Sequence, residues 1–379
     1  MENLLHIKVY YPIKKQHGAA LLAILAIILI TMSAIALSRL SLNSQMAKRQ
    51  EANAGTMATA RNALTAYAMT QATPGALPCP DTNNDGIQNP PAGGVCTSRI
   101  GLLPYKTLNI APLFDTAGQL LWYVVDANYA GNVVAPHNSS RLANLRIDGG
   151  ELLAFIVIAP NTSLSGQSPT TPTPANIAQF LEGDNADATL NSYSAVNDNT
   201  HNDVLMAMST FNFWTSVEKR VLEDAKNVLI AYKAACNVYP WAADFSSGNG
   251  NSIVNTYEGA LPLGIALPNN WGTTCAPVLN PYLSQHWKGV LYYAICKSTT
   301  PVNPPASSCV NLVDASNNVI KTAKVIAIAP GVVTNTQNRA TNNVDQFFEG
   351  NVVTLPNDNK FDLITLGVNN NDSLIIIEP

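Results

Sequence analysis

Charge is what this chain has least of. Only 12% of its 379 residues are Asp, Glu, Lys or Arg, and 21 basic residues against 25 acidic ones leave a formal net charge of −4. Nothing in the sequence forms a basic stripe, so nucleic acid is excluded as a partner held by charge. Catalytic signatures are as sparse. The sequence has no Cys-x-x-Cys, no Gly-rich phosphate loop and no Gly-x-Ser-x-Gly. Its five histidines, at 6, 17, 137, 201 and 286, do not pair at metal-ligand spacing. These absences point to a non-enzyme.

What is abundant is apolar residues, 47% of the chain, and they concentrate first at the N-terminus. A leader carrying Lys8, Lys14 and Lys15 against Glu2 ends at Gly18, and a run without charge follows from Ala19 to Ser38, before Arg39. Such a run is long enough for a bilayer, which takes about 20 apolar residues. The basic flank predicts residues 1 to 18 in the cytoplasm and the remainder outside it. Ala34-Ile35-Ala36 would serve a signal peptidase, and a plain uncleaved anchor would need nothing further. The helical pattern continues from Leu37 to Met69, however, with Gly55 as its one Gly/Pro interruption. A cleaved signal peptide has no use for that continuity.

Gly18 followed by Ala19-Ala20-Leu21-Leu22, behind a basic leader, resembles the class III signal of type IV pilins and type II secretion pseudopilins. The resemblance is specific over about the first 45 residues. It implies that a prepilin peptidase cuts after Gly18 and methylates Ala19, and that the apolar helix then packs with other pilin or pseudopilin subunits. Most members carry a glutamate five residues after the cut, where this chain has Ala23. In the family that departure marks the K-type minor pseudopilin, a tip-like subunit. The bulk left after cleavage, 361 of 379 residues, also argues against a major pilin. Loss of the leader takes the net charge from −4 to −6, since it holds three Lys and one Glu.

An internal repeat organises the remainder. Ala60 to Tyr67 recurs as Ala225 to Tyr232, Gly101-Leu102-Leu103-Pro104 as Gly259-Ala260-Leu261-Pro262, and Leu121 to Val125 as Leu291 to Ile295. Phe155 to Pro160 recurs as Val325 to Pro330, Gln179 to Gly183 as Gln346 to Gly350, and Asn202-Asp203-Val204-Leu205 is matched to Lys360-Phe361-Asp362-Leu363. In the second unit Ser216 is expected to cap a helix running to about Ala235. Strands are expected at Trp122 to Val125, Leu152 to Ala159, Val204 to Met208, Val290 to Ile295, Lys324 to Ala329 and Leu374 to Ile377. Ser163 to Pro174 reads as an exposed loop. The expected fold is therefore α+β: an N-terminal transmembrane helix continuing into a pilin-like head, followed by a second helix-plus-antiparallel-sheet module. The divisions are a basic leader over 1–18, the transmembrane helix over 19–38, and modules over 39–211 and 212–379.

All six cysteines lie beyond the apolar run, which fits an oxidising compartment. Cys79 and Cys96 stand alone in the first unit, where a bridge would contribute roughly 3 kcal/mol. Cys236, Cys275, Cys296 and Cys309 allow three pairings, and proximity favours Cys236 with Cys275 and Cys296 with Cys309. Between the first two cysteines, Asp81, Asn83, Asp85 and the Ile87 carbonyl follow the first half of an EF-hand loop, with Gly86 at the turn. The closing glutamate is missing, Ala92 holding its place, and Asn89 is the nearest further oxygen. The loop suggests Ca²⁺, as the heads of resembling pseudopilins do; a polar loop of Asx-turns is the alternative. Tyr239-Pro240-Trp241 replaces Leu77-Pro78-Cys79 in the second unit, so the site belongs to one module. The polar stretch Asp198 to Asp203 reads as a solvated loop. Glu182 and Glu349, at matching positions, read as a repeated structural turn rather than paired catalytic carboxylates.

The expectation is a minor pilin or pseudopilin, placed in the bacterial inner membrane by a single span with its head in the periplasm. It would act in assembly, or at the tip, of a type IV pilus or secretion filament, where the heads contact a surface or secreted substrate. The alternative is a membrane-anchored periplasmic ligand-binding or adhesion protein without a filament role.

Overall fold

Helix α1 runs unbroken from His17 to Thr70, and the chain divides within it into two units, Met1–Asn53 and Ala54–Pro379. The computed structural model describes residues 17–89, 95–131, 133–247, 257–263, 280–296, 309–314, 316–334, 336–349, 360–362 and 371–379. In the first unit, large apolar side chains from Leu21 to Met32 are 47 to 71% exposed. The expected transmembrane helix over 19–38 needs correction. Among the described residues no helix is long and apolar enough to cross a membrane. The single-pass inner-membrane placement falls with it, and the α+β class stands without a membrane element.

The second unit begins with the last turns of α1, where Met57, Ala60, Leu64 and Ala68 form one buried stripe at helical spacing. Then come β1 (Ile100–Leu102), β2 (Trp122–Val125), β3 (Arg146–Ile147), β4 (Leu153–Ala159), β5 (Ser192–Tyr193) and β6 (Val204–Ser209). Helix α2 (Thr210–Cys236) opens the second repeat, followed by β7 (Glu258–Ala260), α3 (Pro281–His286) and β8 (Tyr292–Ile295). The remaining strands are β9 (Val310–Val313), β10 (Val319–Ala323), β11 (Val325–Ala329), β12 (Lys360–Asp362) and β13 (Ser373–Glu378).

The duplication is a duplication of topology. One antiparallel sheet has the order β1-β2-β4-β6 and the other β7-β8-β11-β13, each strand in the place of its counterpart. Equivalent hydrogen bonds accompany the match: the Tyr123 hydroxyl donates to the Pro78 carbonyl at 3.2 Å and that of Tyr293 to Pro240 at 3.1 Å. One repeat block is corrected. Lys360 to Asp362 is β12, which runs parallel to β9 in a separate three-stranded sheet, β10-β9-β12. The counterpart of Asn202-Asp203, immediately before β6, is Asn371-Asp372, immediately before β13.

The first sheet is buried on both faces. Tyr123, Val125, Phe155 and Val157 join the α1 stripe in the main core, whereas Trp122, Val124, Ile156 and Ile158 pack on Ile177, Phe180 and Tyr193 in a second cluster. Two-sided burial explains why these strands read as continuous apolar runs rather than as alternation. Helix α2 starts six residues before the expected cap. Its cap is Ser209, whose hydroxyl accepts from the Asn212 N–H at 3.3 Å, while Ser216 turns back onto the Asn212 carbonyl at 3.0 Å. The early start buries Phe213 and Trp214. Both repeat halves belong to the same compact unit, so 211/212 is a boundary of the repeat and not of compact units.

Glycine is required at one repeated position. A Cβ on Gly101 would stand 2.5 Å from the Asp81 carbonyl oxygen, and one on Gly259 closer still to that of Ala243. These carbonyls belong to matching two-way bridges, Asp81 with Leu102 and Ala243 with Ala260. Gly101→Ala and Gly259→Ala are each expected to lower stability by about 1–3 kcal/mol, measured as a shift in urea midpoint at unchanged slope.

Candidate functional site

The sequence-predicted metal loop is built from Asx-turns. Asp81 is buried, and its carboxylate accepts three backbone N–H groups: Asn83 at 3.1 Å, Asn84 at 2.8 Å and Gly86 at 2.7 Å. Asp85 accepts from the Ile87 N–H at 2.7 Å and the Asn83 amide at 2.9 Å, bonds that hold its carboxyl below the usual range. Asn89 is turned to Thr82, accepting from its N–H at 2.5 Å and hydroxyl at 2.6 Å. Asp81, Asn83, Asp85, Ile87 and Asn89 are thus brought into one loop, but the carboxylate oxygens of Asp81 and Asp85 and the amide oxygen of Asn89 already hold donors of the loop itself. A cation would compete with those amides. Ala92 lies outside the described residues. Among the described residues no group of three or more His, Cys, Asp or Glu side chains is placed to hold a metal ion.

The Cys79–Cys96 disulfide closes this loop, with Cα atoms 5.5 Å apart, and Cys296–Cys309 forms in the second repeat at 5.1 Å. Such bridges fit a periplasmic or extracellular compartment. Cys275, the expected partner of Cys236, lies outside the described residues. Gly18 and Ala19 fall in the first turn of α1. Replacing Asp81 with Ala strips three buried or half-buried donors of their charged acceptor. The expected cost is about 2–4 kcal/mol in denaturant unfolding, with both disulfides retained.

Glu182 and Glu349 do not form a catalytic pair with each other. Each belongs to its own clasp with an aspartate that sequence spacing did not connect to it. The Glu182 N–H donates to Asp203 Oδ2 at 3.0 Å, and Glu182 Oε2 receives the N–H groups of Asn202 at 3.0 Å and Asp203 at 3.3 Å. The Gln167 amide donates to Glu182 Oε1 at 2.8 Å. The second repeat copies the arrangement. Glu349 N–H donates to Asp372 Oδ2 at 3.2 Å, Asn371 N–H to Glu349 Oε2 at 3.4 Å, and the Gln337 amide to Glu349 Oε1 at 2.7 Å. Each clasp ties the turn after a short 3-10 segment to the start of the last strand of its sheet. The rest of the Asp198 to Asp203 stretch separates from it. Asp198 and His201 form a surface pair at 3.2 Å, and bonds from Thr200 lower the Asp198 carboxyl to about 2.

The two carboxyl groups of each clasp are neighbours and act on one another. Burial, with the neighbouring Glu182 carboxyl, pushes Asp203 up to about 8, and burial with the Glu349 carboxyl likewise raises Asp372. Glu218, fully buried on α2, is pushed up to about 7 by burial, against the opposing pull of the Ser139 hydroxyl and the Arg339 guanidinium. Helical spacing places Glu218 on the apolar face of α2 between Val217 and Val221; that charge among buried neighbours was the available signal. Arg339 is lowered to about 10 by burial, and it donates to the carbonyls of Pro330 at 2.9 Å and Gly331 at 2.8 Å. It also reaches the Ser140 hydroxyl at 3.4 Å, across the repeats.

Segment 137–140 makes further connections between the repeats. The His137 N–H donates to His286 Nδ1 at 3.0 Å, and the Asn138 amide to the His286 carbonyl at 2.6 Å. His137 is buried among Tyr129, Trp214 and His286, and burial lowers its imidazole to about 3. These two histidines, distant in sequence, are fold contacts with no metal-ligand arrangement.

Comparison of the chain with family models, with curated proteins and with solved structures finds no match to any of them.

The buried groups predict a bell-shaped stability profile. Carboxyls raised in the folded state contribute stability that is complete below their unfolded values, near pH 4, and is lost as pH rises through about 7 to 8. The depressed His137 acts in the other direction: its contribution is present above pH 6.5 and is lost as pH falls toward 3. Thermal midpoints are expected to peak in mildly acidic buffer. Asp203→Asn, which supplies a neutral group of the same shape, is expected to flatten the alkaline limb; an unchanged limb would remove Asp203 from the account.

Proposed function

We propose that the chain is a minor subunit of a pilin-like filament, acting in assembly or at the tip rather than as an enzyme. The observation that carries this reading is the construction of α1: a single helix whose early turns are apolar all round and uncovered, and whose last turns are built into an α+β head. Fully burying one such large side chain gains about 1.5–3 kcal/mol, so the stretch from Leu21 to Met32 strongly favours association. Equivalent helices from other subunits are the natural cover, because they present the same apolar, charge-free surface.

Two further features support the reading. Gly18 and Ala19 stand where a leader peptidase of the class III type would cut. Ala23 leaves the helix without the carboxylate that a shaft subunit uses, and a buried charge without its partner costs several kcal/mol. A subunit needing no ionic partner suits an end position.

Terminal sequencing and intact mass of the native protein test processing, with N-methylated Ala19 expected and retention of Met1 counting against the proposal. An Ile24→Asp/Ile28→Asp variant tests assembly. Its head is expected to unfold at the wild-type temperature while the protein disappears from the sheared filament fraction. Undiminished incorporation would end the filament reading.

A further inference from the structure

A cavity of about 470 Å³ opens where the C-terminal end of α1, the disulfide-closed loop and α3 come together. This size lies within the range of about 300–1,000 Å³ usual for small-molecule sites. Both repeats contribute to its lining, so neither could make it alone. We propose that this cavity binds a neutral saccharide.

The lining decides the chemistry. Tyr67 and Gln71 come from α1 and the residues just after it, Gln88 from the disulfide loop, and Gln285 and His286 from α3. Among the described residues no Asp, Glu, Lys or Arg lines the cavity, so an ionic ligand finds no counter-charge in that lining. Each carboxamide offers a donor and an acceptor side by side, the combination that adjacent hydroxyls of a sugar ring satisfy. Leu77 and Val133 add apolar wall, and Tyr67 adds a ring and a phenol.

Tyr67, Gln71, Gln88 and His286 are held in place before any ligand arrives. Gln88 accepts the Cys79 N–H at 3.0 Å, and its amide donates to the Tyr67 hydroxyl at 3.3 Å. Gln71 donates to the Tyr67 carbonyl at 3.2 Å, which leaves its oxygen as an acceptor. His286 Nδ1 accepts from the His137 N–H, which fixes the tautomer with the proton on Nε2, and its own carbonyl is held by Asn138. Burial lowers the His286 imidazole, so it stays a neutral donor in the cavity wall. Groups ordered in advance lose little freedom on binding.

Isothermal titration and saturation-transfer NMR on the full-length chain, with glucose, galactose, N-acetylglucosamine, maltose and lactose, test the proposal. Glucuronic acid and glucosamine serve as charged counterparts. At least one neutral saccharide is expected to bind saturably, its affinity falling about tenfold or more in Gln71→Ala and in Gln285→Ala. Neither side chain is fully buried, and thermal unfolding is used to show that both variants keep the fold. The proposal is overturned if no neutral probe binds at concentrations up to about 50 mM. It is also overturned if binding survives both substitutions unchanged, or if the charged counterparts bind equally well.

Discussion

The head depends on the way one helix serves two sheets. Helix α2 lies against β4 and β6 of the first sheet and against β11 and β13 of the second. Its N-terminal Phe213 and Trp214 sit with Tyr129 in an aromatic group, and Trp214 meets Trp287 with ring centroids 6.1 Å apart. Further along, Asp224 receives the Tyr282 hydroxyl at 2.5 Å, and Lys233 pairs with Glu378 at the end of β13. Burial raises the Glu378 carboxyl, but bonds from Lys233, Lys324 and Tyr239 together outweigh it and hold it at about 2. Because α2 cannot leave either sheet without uncovering the other, two repeats of one design become a single core.

Around that helix the two copies diverge in a graded way. The sheets and the Glu–Asp clasps are common to both. The loop at Asp81 exists once, its counterpart Ala243 having no side-chain acceptor, although both residues make the same backbone bridge. Arg339 and its carbonyl contacts also exist once, with Pro169 at the matching place in the first repeat. The frame is held constant by hydrogen bonds that a sheet cannot form without, whereas the loops outside it carry the differences.

Much of this was legible in the residues. Strands announce themselves where β-branched and aromatic runs are bounded by Pro, Gly and Asn, and the six expected strands fall within a residue or two of β2, β4, β6, β8, β11 and β13. The clasps were half legible: Glu182 and Glu349 stand out in repeated blocks, but Asp203 and Asp372 lie more than twenty positions away, and only the strand pairing brings them near. Asn371-Asp372 escaped notice because Ser373 follows where Val204 stands, and Lys360-Phe361-Asp362 offered a more apolar match. His137 and His286 could not be related by spacing at all, since their contact arises from docking one repeat on the other. The membrane span read from residues 19–38 shows the opposite limit. Composition alone suggested more than the described helix supports.

The place of β13 in the chain has a consequence for how the protein is made. Every strand of the first sheet precedes α2, whereas the second sheet awaits Ser373–Glu378 to cover its side of the same helix. A chain emerging from its N-terminal side therefore carries α2 with its second-sheet face uncovered until β11 is made, and incompletely covered until residues 373 to 378 follow. During that interval the half-built head carries an apolar helix face still waiting for its cover, the kind of transiently exposed surface that invites association with other chains.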